Sequence, residues 1–422
     1  MSHWKRRLLP MSAACVLLLA ACNTDQAEEE VKEEETTAQE QHEHEHEHQD
    51  TSHEQKETDG TRLLVSYAEG FIVMNSAFEE IKRYNIGPSS LALGSDMRHV
   101  FVKDTANKDS YTLFDIGIWH EDHSDHAHPY EEDPVLASYE IEAKNAAHVV
   151  SHNNQTAVFH DDSGLVEVYD AASLSTIEEP IPAYTYQGSA HHGVAVPLSD
   201  GILAVSYQTE EGAKLPGGVK IVDSHGHDVA TITDACNGLH GTVYTGVNTT
   251  EKLAFGCIGN VVAYDVASKQ TTAIALPHAE ARVSTIKHHA DSSYYLTNYK
   301  EGENPSTKVG VINSETNDFT LVELPAAYSS ALLVAAHNIG YVQAENGILY
   351  KIDLAKAEIT EEIDALQPFN LDEVNVTLAL MNNDVLIVVP TANAILQVHG
   401  DHVHQVTALD VEPTSVLSVT AY

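Results

Sequence analysis

The sequence predicts an all-β protein, a β-propeller of eight blades with seven as the alternative count, preceded by a disordered tether. Three observations carry this. From Thr61 onward helical periodicity is nearly absent, while short runs rich in β-branched and aromatic residues recur, such as Leu203 to Tyr207, Asp384 to Val389 and Ser415 to Tyr422. A hydrophobic strand ending in a turn-forming residue returns eight times, finishing at Asn75, Asp115, Asp170, Asp223, Asp265, Asn313, Asp353 and His399, at spacings of 40 to 55 residues. That spacing suits one blade of four short strands. Finally, only one good strand, Arg62 to Tyr67, precedes the first of these landmarks, so the first blade lacks an innermost strand that Thr414 to Tyr422 can supply. Such a closure removes exposed sheet edges.

Taken in order, the chain begins with a basic Lys5-Arg6-Arg7, a short apolar stretch from Met11 to Leu19, and Leu19-Ala20-Ala21-Cys22. This reads as a lipoprotein signal peptide over residues 1–21, with Cys22 acylated and the protein held outside the bacterial cell membrane. No later stretch reaches the roughly 20 apolar residues of a spanning helix.

Residues 22–60 read as a lipid-anchored, acidic, His-rich disordered tether. Residues 23–60 hold 15 acids against two lysines and almost no residue able to form a core. His42, His44, His46, His48 and His53 alternate with or neighbour acids, which a mere spacer has no use for, and they read as a metal-loading arm. The formal net charge of the whole chain is −41, which disfavours nucleic acid and attracts cations.

Residues 61–422 form the propeller domain. Of the four cysteines, Cys15 leaves with the signal and Cys22 carries lipid, so Cys236 and Cys257 remain for a disulfide in an oxidising compartment. Two thiolate metal ligands are the alternative, at a spacing unlike CxxC chemistry.

The chain's 26 histidines point to zinc, for which imidazole and carboxylate are ordinary ligands. His123, His126 and His128, with Asp122 and Asp125, crowd one loop after the second landmark. His148, His192, His240 and His289 precede four consecutive landmarks by 22 to 31 residues, which places them near the start of the innermost strand and brings imidazoles from four blades to one channel rim. The loop after a third strand opens on the opposite face, so the two groups are separate candidates. His399, His402 and His404 form a third, surface set.

Several motifs resemble the AztD zinc metallochaperones: Phe114-Asp115, Glu121-Asp122-His123, Asp125-His126, His148 through His152, His191-His192-Gly193, Cys236 through His240-Gly241, and Phe255-Gly256-Cys257. The resemblance spans most of residues 61–422. It implies a β-propeller that binds Zn(II) outside the cytoplasmic membrane and passes it to the solute-binding protein of a zinc ABC transporter. The lipid anchor is a departure, because the members with this pattern are soluble in a periplasm. An enzyme is not expected: the sequence lacks GxSxG, HExxH, P-loop and GxGxxG motifs, and two tryptophans are too few for a quinoprotein propeller. A metal-dependent propeller hydrolase and a zinc storage or scavenging lipoprotein are the alternatives, and the expected state is a monomer.

Overall fold

The computed structural model describes residues 60–421 apart from 124–125, 175–178, 247–249 and 304, and leaves the side chains of 121–129 and 405–406 undescribed. The expectations for the signal peptide, Cys22 and the arm at His42, His44, His46, His48 and His53 therefore lie outside the described residues.

The chain folds as eight antiparallel blades in a ring. All eight landmarks are the ends of third strands, from Gly70–Asn75 in blade 1 to Ala394–His399 in blade 8. Their acids and amides make the turns expected of them. The Oδ1 atoms of Asp115, Asp223 and Asn313 accept the backbone N–H two residues on, at 2.9, 2.9 and 2.8 Å.

Blade 1 closes the ring. Its strand order runs Glu80–Tyr84, Gly70–Asn75, Thr61–Tyr67, Pro413–Thr420, so the last strand of the chain is innermost and pairs Leu64 with Leu417 and Val65 with Val416. First strands of neighbouring blades touch around the axis, as where Ala146–His152 meets Ala195–Pro197.

The core consists of eight apolar clusters among the described residues, one in each seam between blades. Consecutive residues of a middle strand therefore serve different seams. Leu63 packs toward blade 8 and Leu64 toward blade 2. This is why Thr61–Tyr67 is buried along its whole length rather than alternating.

Blade 2 carries an insertion. After its third strand, Ser110–Asp115, the chain leaves as a hairpin of Ile118–His123 and His126–Glu131 and returns to complete the blade with two short pieces, Val135–Leu136 and Ile141–Glu142. The hairpin's base is fixed by Trp119 stacked on Tyr130 at 5.3 Å, with the Arg98 guanidinium 3.8 Å from the Trp119 ring. Among the described residues no helix is long and apolar enough to cross a membrane.

Candidate metal centre

Blades 3, 4 and 5 bring His148, His192 and His240 to the rim where first strands begin. In blade 3 the register between Ala146–His152 and Gln155–His160 shifts between Ala146 and His148, a bulge that re-aims the His148 ring. Lys103 of blade 2 braces it, its Nζ donating to the Ala147 carbonyl at 2.5 Å. Asp161 follows the partner strand directly, and the hairpin folds it back beside His148.

His192 stands in the turn before Ala195–Pro197, and its Nδ1–H donates to Asp161 Oδ2 at 2.6 Å. The next residue must be glycine. A Cβ at Gly193 would lie 2.3 Å from the Phe159 ring and 2.6 Å from His191 Nε2. Of the adjacent pair, His191 is structural: its ring nitrogens are held by Ser189 O at 2.7 Å and Ser206 Oγ at 2.9 Å.

His240 precedes Thr242–Thr245, and its Nδ1–H donates to the Ser284 carbonyl of blade 6 at 2.8 Å. Its loop is pinned from below by the Cys236–Cys257 disulfide, whose Cα atoms are 5.0 Å apart, and by His240 N–H donating to Gly256 O at 3.1 Å. The expected pairing of the two cysteines is thus present, and thiolate ligation is excluded.

The three rings converge. Their centroids are 4.7 Å apart for His148 and His192, 5.5 Å for His192 and His240, and 6.4 Å for His148 and His240. Imidazoles sharing one tetrahedral zinc, with Zn–N near 2.1 Å, have centroids about 5 Å apart. Potential ligand atoms of His148, Asp161 and His192 already lie within 4.8 Å of one another.

The proton positions also suit a metal. Because Nδ1–H of His192 and His240 is committed to oxygen, Nε2 is the lone-pair nitrogen of each ring. His148 Nδ1 is buried with no hydrogen-bond partner. Burial, followed by the neighbouring His192, pushes His148 down to about 4, so this ring is neutral at physiological pH and ready to donate. Burial likewise lowers Lys103 to about 8, with Asp161 opposing.

The other predicted ligands fall elsewhere. His289 does not precede its first strand but follows it, after Ile286–Lys287, with its Nδ1 accepting the Asp291 N–H at 3.1 Å. That first strand is only two residues long, so counting back from the landmark overshoots onto the opposite rim. His123, His126 and His128 belong to the inserted hairpin, and their side chains lie outside the described residues. The hairpin springs from the end of a third strand, on the rim opposite His148. His399 is exposed and held by Asp384 at 2.7 Å, and the His402 and His404 rings are 6.5 Å apart.

Asp161 escaped the sequence reading. Its signal was the His148 strand and its hairpin return, which place an acid after His160 opposite the strand's start.

Fold and site together define an eight-bladed β-propeller with a rigid histidine and carboxylate cluster on one channel rim. No family profile matches the chain. In sequence it is similar to the zinc chaperone AztD of Citrobacter koseri, with 23% identity over 354 residues and 81% of each chain covered. In fold it matches the crystal structure of Citrobacter koseri AztD, with a TM-score of 0.73 and 22% identity over 86% of this chain and 98% of that one. The apo structure from the same organism gives 0.71 and 21%, covering 85% and 98%. The chain is AztD-like, as its motifs implied.

Proposed function

We propose that this chain is a zinc metallochaperone that holds Zn(II) at His148, His192 and His240, with Asp161 beside them, and passes it to the solute-binding protein of a zinc ABC transporter. The observation that carries the reading is the unpartnered, buried Nδ1 of His148 within a cluster of imidazoles whose other rings are already oriented by oxygen acceptors. A structural histidine finds a partner, as His191 does. This one lacks only a cation.

Zinc is cargo here rather than a cofactor. The carboxylate offsets part of the ion's charge, and the fixed rings give affinity without reorganisation. His192, with 36% of its side chain exposed, is the ligand through which the ion can be reached from solvent. On this reading the chain is anchored outside the cell membrane by Cys22, acts without catalysing a reaction, and is loaded by the arm at His42, His44, His46 and His48. Tethering raises their local concentration to roughly millimolar.

The test is transfer kinetics. Zinc-loaded chain mixed with the transporter's binding protein should lose metal faster than its own spontaneous dissociation rate. Release at that rate whatever the acceptor makes it a store or scavenger.

A further inference from the structure

The three blades that carry the zinc-site residues are tied together at the opposite rim by one carboxylate. Glu251, fully buried, sits just before the second strand of blade 5, Lys252–Gly256. It accepts the Ser199 N–H of blade 4 at 3.0 and 3.3 Å, and a close bond from Ser199 Oγ. From blade 3 it accepts a close bond from Asn153 Nδ2, and His152 Nε2 stands 3.4 Å away without hydrogen-bond geometry. His152 lies on the same strand as His148, four residues on, a separation of roughly 13 Å at strand rise.

A milder version of this contact joins blades 6 and 7, which carry no zinc ligand. There Asn338 Oδ1 accepts from Ser292 Oγ at 3.1 Å and from Ser293 N at 2.9 Å, at the corresponding turns. Only Glu251 is charged, and only Glu251 reaches two blades beyond its own. The blades it joins are those holding His148 and Asp161, His192, and His240.

We infer that Glu251 is a positioning residue for the zinc site: it fixes the spacing of blades 3, 4 and 5 at one rim so that the imidazoles meet at the other. Charge-assisted bonds to a buried carboxylate are stiff and stronger than neutral ones. Relaxing them lets the blades shift relative to one another, and a metal site tolerates little displacement of its ligands. The inference rests on the zinc reading proposed above.

The test uses the full chain, with zinc affinity from competition against a chelating dye and His192→Ala reporting binding by the arm alone. Glu251→Gln should weaken the propeller site at least tenfold and change the visible spectrum of the cobalt-substituted protein. Ser199→Ala, which removes one bond only, should do the same to a smaller degree and serves if Glu251→Gln does not fold. Asn338→Gly, which removes the equivalent contact between blades without ligands, should leave affinity and spectrum unchanged even where thermal stability falls. The inference is overturned if Glu251→Gln and Ser199→Ala bind zinc as the parent does, or if Asn338→Gly weakens binding equally. If the parent and His192→Ala bind alike, the zinc reading itself fails, and takes this inference with it.

Discussion

Replacing Asp161 with Asn separates the orienting carboxylate from the ring it holds. In the structure Asp161 Oδ2 takes the His192 Nδ1–H at 2.6 Å, and Oδ1 lies 3.4 Å from the Gly193 N–H. Asn keeps the shape and one acceptor oxygen but loses the negative charge, which both strengthens that bond and offsets the charge of the cation. Loss of an orienting partner of a metal-bound histidine typically costs 10–100-fold in affinity, about 1.4–2.7 kcal/mol. Only 9% of Asp161 is exposed, so water replaces the lost interaction poorly, and the upper half of that range is expected. Dye competition at pH 7.5, with the fold checked by circular dichroism, measures it. Affinity within twofold of the parent would refute the role given to Asp161, and loss beyond 1000-fold would show it to be a ligand in its own right.

Four further outcomes follow from the same geometry. Reducing the Cys236–Cys257 bridge, whose partners are 21 residues apart, should lower unfolding free energy by about 3 kcal/mol in a urea titration and weaken zinc binding through the His240 loop; unchanged stability would contradict this. The metal-free protein should lose stability as pH falls from about 6.5 towards 4. His148 takes up its proton only near 4 when folded but near 6.5 when unfolded, so over that window the unfolded chain binds more protons, at a cost of up to about 3 kcal/mol. Burial lowers His152, His191 and His288 in the same direction, and a urea midpoint that is flat between pH 7 and 4.5 would refute the linkage. Deleting residues 23–60 should leave the tightest zinc in place while slowing capture at scarce metal, and loss of the tightest equivalent would move that site to the arm. His289→Ala should leave zinc affinity unchanged, whereas His240→Ala should reduce it by orders of magnitude.

The propeller was legible because its repeat is written in turn chemistry. A side chain able to cap its own backbone is needed where each third strand ends, so Asp, Asn or His recurs at blade spacing. Ring closure was legible for a similar reason, since a lone strand at one end and an unpartnered apolar run at the other leave one economical pairing. The site was legible only where first strands have normal length. His148, His192 and His240 fall near the strand starts that counting predicts, but the two-residue first strand of blade 6 carries His289 past the axis to the far rim. Asp161 and Glu251 were hidden because both act through contacts made across turns or blades. An acid in a turn carries no mark distinguishing it from the many solvated acids of so negative a chain.

The central claim is that one zinc lies among His148, His192 and His240. A crystal of the full chain soaked in zinc, with anomalous data collected on both sides of the zinc edge, tests it directly. The expected map has its strongest peak about 2.1 Å from a ring nitrogen of each of the three histidines. A map with peaks only at the 118–131 hairpin or at surface histidines, and none on this rim, would contradict the assignment.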